Sequence, residues 1–387
     1  MKDRLTLVFT GDIGFDRYMN RKWEDEELLS EDVLAFFNDA DHVIPNVEGP
    51  LVADIGDRAS TGTAQLMHAM SPEAVRVLKK IGADIWNLCN NHILDAGDEG
   101  VKATLEEARK AGAKTVGAGM NLTEAARPLY LEGAGGVGIF SVGYRRGCKP
   151  AGEQKAGCLL WNERELIKAN IEEIKKKCRW CIVIAHGGEE FTSLPSPYTR
   201  ERYLDYLDMG ADAVVAHHPH VPMNYERVGD KIIFYSLGNF IFDTDYQRAQ
   251  FNTERGILLK LLLNGKGFSF EAKGLLIDRD DERVKTAPLP DIFADVNGTE
   301  YDLLSPLAAK MLVAATKRQV IFLKPEEYKD ADEEKWKANF DDPMRSGRVP
   351  GEALDFRIIC PLAEKAEEGA WKKSTLNKVR DYILRQM

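Results

Sequence analysis

The chain has 387 residues, of which 44% are hydrophobic and 29% are charged, so it can bury the core of one large domain and carry an appendage. A formal net charge of −10 and a pI near 5.4 argue against a nucleic-acid surface, because such a surface needs clustered Lys and Arg. The composition therefore predicts a soluble globular protein that does not bind nucleic acid.

The first apolar run lies in MKDRLTLVFTGD and stops at Gly11 and Asp12. It is too short for the apolar core of a signal peptide or for a membrane span. We therefore expect no membrane span and a cytoplasmic location.

Five apolar, β-rich runs each end in a residue that can bind a metal ion. In chain order, these end residues are Asp12, Glu48, Asn91 with His92, His186, and His218 with His220. Helical segments lie between the runs, which predicts an α/β fold with considerable parallel pairing. In such sheets ligands gather outside the carboxyl ends of the strands. We therefore expect these side chains to face one crevice.

Carboxylate, amide and imidazole groups together suit zinc, manganese or iron, and the lack of thiolates argues against a closed structural zinc site. Taken singly, His186 could be a turn residue, Asp12 a helix cap and Glu48 a solvated turn residue. In HHPH, alternation along an extended segment predicts that His218 and His220 point to the same side. Five of the seven histidines lie at the ends of three such runs, which favours a shared site.

Other residues are candidates for the outer part of the site. Asp95 is expected to orient the ring of His92 through its second nitrogen. Glu189, Glu190 and Glu226 are candidates for contacts with metal, water or a cationic substrate. Further candidates, for groups that support the ligands from outside, are Asn239 and Asp243. For the last two, a tight turn is an equally good interpretation.

A series of motifs carries a family resemblance over approximately residues 4–276. In order, these are TGDIGFDR, NVEGP, NNHILDAG, HGGEE, PSPYTRERYLDYLDMGADAVVAHHPHVP and YSLGNFIFD. The series resembles the bacterial capsule-synthesis, poly-γ-glutamate biosynthesis (CapA-like) protein family, which is similar to the calcineurin-like metallophosphoesterases. The resemblance implies a four-layer α/β/β/α sandwich with a two-metal site at the strand ends.

The resemblance also implies a role for each matching residue. These roles are Asp12 and His220 at the first ion, Glu48 as the bridging carboxylate, Asn91, His186 and His218 at the second ion, His92 as general acid, and His217 in the outer shell or facing substrate. Gly14 stands where the wider superfamily usually has a histidine, so Asp16 or water is expected to replace that ligand. NVE also departs from the usual aspartate-centred bridging motif, which keeps a single-metal site open as an alternative.

The function expected from these residues is metal-dependent hydrolysis, most directly of a phosphate ester by a metal-activated water. We expect one or two divalent ions (Mn, Zn or Fe) and an anionic small-molecule or polymer substrate. Two alternatives stay open. One is amide hydrolysis or transfer on a γ-glutamyl polymer, and the other is a metal-stabilised scaffold in capsule assembly that has no turnover.

Residues 1–289 are predicted to form the catalytic domain, and residues 290–387 a mostly helical C-terminal extension. The extension contains helical segments around 304–318, 326–338 and 362–386, and it contains no ligand-rich cluster. The last segment has its apolar residues on one side, which predicts that it packs on another surface. That surface is either the catalytic domain or a second copy in a homo-oligomer.

Overall fold

A computed structural model describes residues 3–53, 66–345 and 374–386. The strands are β1 (Arg4–Ile13), β2 (His42–Val47), β3 (Ile85–Asn87), β4 (Lys114–Val116), β5 (Ala118–Gly119), β6 (Leu129–Leu131), β7 (Val137–Gly143), β8 (Gly157–Cys158), β9 (Trp180–His186), β10 (Ala213–His217), β11 (Tyr225–Val228), β12 (Lys231–Phe234), β13 (Asn239–Ile241), β14 (Arg255–Asn264), β15 (Phe268–Asp278) and β16 (Arg283–Ala287). The α-helices are α1 (Glu31–Ala35), α2 (Val75–Lys80), α3 (Gly97–Ala111), α4 (Leu122–Ala125), α5 (Arg164–Lys177), α6 (Pro197–Asp208), α7 (Asp245–Arg248), α8 (Gly298–Leu323), α9 (Pro325–Tyr328), α10 (Glu333–Arg345) and α11 (Ser374–Leu384).

Two large sheets carry most of these strands. The first has the order β16-β15-β14-β1-β2-β3-β4, with β13 also paired to β1. Its strands β1 to β4 are parallel, while β14, β15 and β16 are antiparallel. The second sheet has the order β11-β12-β10-β9-β7-β6, and its strands β7, β9, β10 and β12 are parallel. The parallel pairing predicted from the sequence is therefore present in both sheets.

The two sheets stack face to face around an apolar core. Leu7 and Phe9 of β1 pack in the same buried cluster as Ile184 of β9 and Phe234 of β12. A fully buried side chain of this kind contributes about 1.5–3 kcal/mol to folding. Two further clusters join the outer face of each sheet to its helices, with α2 and α3 on the first sheet and α5 and α6 on the second. The predicted four-layer α/β/β/α sandwich is confirmed.

The described part of residues 290–387 is mainly helical. Leu304 of α8 and Val379 of α11 lie in one buried cluster with Leu194 of the sandwich. The hydroxyl of Tyr301 donates a 2.7 Å hydrogen bond to the carbonyl of Pro195. The first part of the predicted 362–386 helix lies outside the described residues, and its described end forms α11. Helices α8 and α11 thus contact the sandwich, while the contact with a second copy stays a prediction.

Within the part of the chain that the structure describes, no helix combines the length with the apolar character that a bilayer crossing requires.

Candidate metal centre

A row of polar side chains crosses the carboxyl ends of neighbouring strands in the first sheet. The register pairs Asp12 of β1 with Asn239 of β13 and with Asn46 of β2, and it pairs Asn46 with Asn87 of β3. Asn87 Nδ2 donates to Asn46 Oδ1 at 2.7 Å, and Asn46 Nδ2 donates to Asp12 Oδ1 at 2.8 Å. Asn46 Nδ2 also lies 3.3 Å from Glu48 Oε2. This amide row fixes the positions of two buried carboxylates.

The second sheet brings its histidines to the same place. His217 at the end of β10 is in register with His186 at the end of β9. His186 Nε2 lies 2.7 Å from Oδ1 of Asn91, which follows β3 of the first sheet. His217 Nδ1 lies 3.5 Å from Asp12 Oδ1. The strand ends of both sheets therefore meet in one crevice.

The histidines after β10 reach the crevice by a turn and not by an extended segment. The strand ends at His217, and the backbone φ angles of His218 and His220 are +100° and +58°. Each non-glycine residue in this left-handed region raises the free energy of the folded state by about 1–3 kcal/mol. The alternation argument for these two residues was therefore wrong, although both rings face the site, with centroids 5.9 Å apart.

Two groups of three side chains could each hold a cation, because their ligand atoms lie within 4.8 Å of one another. One group is Asp12, Glu48 and His186, and the other is Glu48, His218 and His220. Glu48 belongs to both groups, which is the place expected for a bridging carboxylate. The expectation had placed His218 with His186 at one ion and His220 at the other. The structure groups them differently, because the turn after β10 places His218 beside His220.

A divalent cation fits the donor atoms around Glu48. Its Oε1 is buried and has no hydrogen-bond partner among the described residues. It lies 3.6 Å from His220 Nε2 and 3.8 Å from His186 Nε2, which is too long for hydrogen bonds. A buried carboxylate oxygen without a partner is costly, and a cation between it and the imidazoles removes that cost. Carboxylate and imidazole ligands suit zinc, manganese or iron.

The charges of these groups depend strongly on one another. Burial opposes ionisation of Asp12, but hydrogen bonds and the charges of His217 and His220 outweigh it and hold the pKa of Asp12 well below its usual range. Burial and the Asp12 charge raise the pKa of Glu48 well above its usual range. Burial would lower the pKa of His220, but Glu48 and Asp12 raise it to about 10. The pKa values of the two carboxyl groups are therefore shifted in opposite directions.

Asn239 contacts the His220 ring at the nitrogen that faces away from Glu48. His220 Nδ1 lies 3.0 Å from Asn239 Oδ1 and 3.2 Å from Asp12 Oδ2, so its other nitrogen faces Glu48. Asn239 Nδ2 in turn donates to Gln247 Oε1 and to the carbonyl of Thr253. Partners of this kind fix the tautomer and the ring orientation of a metal-binding histidine.

His92 lies beside this cluster and pairs with Asp95, as the sequence led us to expect. His92 Nδ1 is 2.8 Å from Asp95 Oδ2. Burial and the neighbouring His68 lower the pKa of His92 to about 4, despite the opposing effect of Asp95. The second ring nitrogen of His92 is thereby left for contacts other than Asp95.

Asp16 lies outside both groups of side chains that could hold a cation, and its Oδ1 is buried without a hydrogen-bond partner among the described residues, so its place as a replacement ligand stays a prediction. Its Oδ2 forms a short hydrogen bond with Nδ1 of His68. The ring of His68 meets the ring of His92 edge to face, with centroids 4.2 Å apart. Asp16 is therefore tied to a second histidine on the His92 side of the site.

Gly14 has no room for the histidine of the wider superfamily. A Cβ atom at this position would lie 2.6 Å from the ring of Phe242. That ring also stacks on His220, with centroids 4.9 Å apart. An aromatic ring from the segment after β13 thus occupies the space beside Gly14.

Three other candidate carboxylates are satisfied by groups of the scaffold. Glu189 accepts hydrogen bonds from Ser196, the residue that caps α6. Glu226 pairs with Arg200 at 2.6 Å, and Asp243 pairs with Arg248 at 2.6 Å. The oxygens of these carboxylates thus already have strong donors, and a role for the three residues at or around the site stays a prediction.

Some residues of the site escaped the sequence analysis. Asn46 precedes Glu48 by two positions in β2, and that period-two spacing was a usable signal. Tyr144, whose ring lies 4.5 Å from that of His218, follows β7 and carried no signal. Glu190 was one of the candidates for a contact with metal, water or substrate. It accepts a 3.3 Å hydrogen bond from Tyr246, and its burial raises its pKa.

The sequence is similar to several known proteins. It is 32% identical over 252 residues to "PGA biosynthesis protein CapA" of Bacillus subtilis (strain 168), covering 64% of this chain and 66% of that protein. It is 30% identical over 258 residues to "Capsule biosynthesis protein CapA" of Bacillus anthracis, covering 64% of this chain and 62% of that protein. The match therefore spans just under two thirds of either relative.

Among solved structures, a hypothetical protein from Thermus thermophilus superposes with a TM-score of 0.45 at 18% identity, covering 73% of this chain and 100% of that chain. The family described as "Bacterial capsule synthesis protein PGA_cap" matches residues 6–244, a range that holds every residue of the candidate metal centre. The chain belongs to this bacterial capsule synthesis protein family.

Proposed function

We propose that the chain is a metal-dependent hydrolase that cleaves a phosphate ester. The observation that carries this proposal is the state of Glu48. Its buried oxygen has no hydrogen-bond partner among the described residues, and it faces two imidazole nitrogens. An arrangement of this kind is unfavourable for folding unless a cation binds there, which supports a site kept for a metal ion.

Asp12, Glu48, His186, His218 and His220 would hold one or two ions of Mn, Zn or Fe, with Asn91 completing the donor set beside His186. A bound divalent ion supplies charge that polarises a phosphoryl oxygen and lowers the pKa of water. The amide row keeps the two carboxylates from turning away, because Asn46 donates to both of them. Strong burial of these groups strengthens their electrostatic interactions.

His92 is the group proposed to supply the proton to the leaving oxygen. With a pKa of about 4 it is neutral at pH 7 in the free site, and Asp95 fixes the proton of the neutral ring on Nδ1. A phosphate anion beside the ring favours its charged form and raises this pKa. The ring can then take a proton at Nε2 and pass it to the departing alcohol.

The test measures turnover after loading the full chain with manganese, zinc or iron. Phosphomonoesters and phosphodiesters are the substrates. We expect turnover that disappears with a chelator, and a roughly 100-fold or larger loss in kcat on esters of alkyl alcohols for His92→Ala, with the metal content unchanged. Unchanged turnover in His92→Ala would reject its role, and the absence of phosphate-ester turnover with every ion would reject the proposed reaction.

Cleavage of a γ-glutamyl polymer is the second candidate, because the names of the two Bacillus relatives refer to PGA biosynthesis and to capsule biosynthesis. The charge that polarises a phosphoryl oxygen can also polarise an amide carbonyl. Metal-dependent shortening of poly-γ-glutamate, without phosphate-ester turnover, would favour this reaction. Tight metal binding with neither activity would favour a scaffold.

A further inference from the structure

We propose that His68 is a positioning residue for His92, in a unit of two histidine–aspartate pairs that holds the proton-donating ring in place. The inference rests on the proposed hydrolysis and adds a residue to its proton-transfer step. His68 lies outside the apolar runs that end in the metal centre, in the segment before α2. It was one of two histidines, with His42, that the sequence left unassigned.

Asp95 joins the two histidines directly. Its Oδ2 accepts the backbone N–H of His68 at 2.7 Å and also lies 2.8 Å from Nδ1 of His92. One carboxylate oxygen thus sets the position of the His68 backbone and the rotation of the His92 ring. A displacement of the His68 segment would therefore move the partner on which the His92 orientation depends.

The His68 ring supplies a second restraint. It meets the His92 ring edge to face, with an interplanar angle of 85° and centroids 4.2 Å apart. Phe242 packs against another side of the His68 ring, with centroids 4.9 Å apart. Asp16 holds the His68 ring through Nδ1, and its side chain is only 10% exposed. The His68 ring is thus fixed by contacts on several sides, and it restricts the movement of the His92 ring that packs against it.

The composition of this unit points to function. The four side chains are only 9–17% exposed. Withdrawing two imidazoles and two carboxylates this far from water is less favourable than packing apolar side chains of the same volume. The unit lies beside the metal centre through Phe242, which contacts both His68 and His220. A residue that only filled space there would not need a polar ring with a dedicated carboxylate partner.

The test uses the metal-loaded full chain and two phosphate esters that differ in their leaving group, a nitrophenyl ester and an alkyl ester. Only the alkyl leaving group needs a proton as it departs. For His68→Ala we expect a roughly tenfold loss of kcat on the alkyl ester, below the 100-fold that a 1 Å misplacement can cause. We expect about the wild-type kcat on the nitrophenyl ester, and an unchanged KM and metal content.

The double variant decides whether His68 acts through His92. We expect His68→Ala with His92→Ala to lose no more activity than His92→Ala alone, because residues that act as a unit are not additive. His68→Gln, which can still bond to Asp16, should recover part of the loss, and it replaces His68→Ala if that variant does not fold. His42→Ala is the matched control, since His42 forms a 2.7 Å pair with Asp84 at the opposite end of β2, and it should leave kcat unchanged.

Equal losses on both esters, or additive losses in the double variant, would overturn the inference. A wild-type protein that cleaves neither ester would instead reject the proposed function, and the inference with it. The two failures are therefore distinguished by the wild-type measurement.

Discussion

Two sets of buried carboxylates in this molecule have opposite surroundings. Glu226 and Asp243 are met by guanidinium groups at hydrogen-bonding distance. Glu48 is met by imidazoles at 3.6 and 3.8 Å, and one of its oxygens has no hydrogen-bond partner within the described ranges. All three carboxylates are buried and lie near strands, so burial and position alone do not separate them. The groups around them do separate them. A carboxylate that is hydrogen-bonded to guanidinium groups stabilises the scaffold, whereas a buried carboxylate oxygen without a partner favours a cation.

The largest expected effect comes from removing the charge of Glu48. Glu48→Gln should weaken metal binding by more than the roughly 10–100-fold that loss of a group outside the ligand set costs. Competition with a chromophoric chelator measures this affinity. Glu226→Gln is the matched control, because it changes a buried carboxylate outside the metal centre and should keep the metal.

The variant that binds metal more weakly, Glu48→Gln, should be the more stable of the two. With the metal chelated, Glu48→Gln should unfold at the same or a higher denaturant concentration than wild type, because it removes a carboxyl group that is buried at a cost. Glu226→Gln should be less stable, because it leaves Arg200 without its ionic partner. Wild-type metal affinity in Glu48→Gln would contradict the assignment.

The next effect concerns the scaffold carboxylate Asp243. Asp243→Asn should lower the free energy of unfolding by about 2 kcal/mol, below the 3–5 kcal/mol for a fully buried pair, because Arg248 and Arg279 are 28% and 23% exposed. Denaturant titration measures this change, and the metal content should stay at the wild-type value. Asp205→Asn, which breaks a more exposed pair with Arg164, should lower the free energy of unfolding by less than Asp243→Asn does. Loss of metal in Asp243→Asn would place Asp243 in the metal centre.

The smallest effect is expected in the amide row. Asn46→Ala should weaken metal binding roughly tenfold, at the low end for groups that support the ligands, because Asp12 keeps its contacts with His217 and His220. The chelator competition described for Glu48 measures it. An Asn46→Ala protein that binds metal as tightly as wild type would show that the row is not needed to hold the carboxylates.

Apolar runs, helix starts and polar run ends were sufficient to predict an α/β fold with parallel pairing and the approach of the strand ends, while the four-layer sandwich was implied by the family resemblance. Parallel pairing brings Asp12 beside the end of β2 in the first sheet and His186 beside His217 in the second. The stacking of the two sheets then brings these strand ends together. The turn at His218 was not predictable, because HHPH contains no glycine or asparagine, the residues that usually mark a left-handed backbone. His68 was missed for a related reason. It lies outside the regular elements, and only the fold brings it to His92.

The sequence also could not separate the two sets of carboxylates. Asp243 follows β13 much as Glu48 follows β2, and both looked like residues at the end of a run. The arginine that pairs with Asp243 at 2.6 Å is Arg248, which lies in α7, and a second guanidinium comes from Arg279 just after β15. Pairing across elements is decided by tertiary packing, which residue spacing alone does not encode.

Anomalous diffraction from crystals of the manganese-loaded protein tests the central claim most directly. We predict a manganese peak within bonding distance of Glu48 Oε1, with imidazole nitrogens of His186 or His220 among its ligands. Diffraction that shows the two imidazoles and Glu48 without a peak between them, or a peak held by other residues, would contradict the assignment of this crevice as a metal centre.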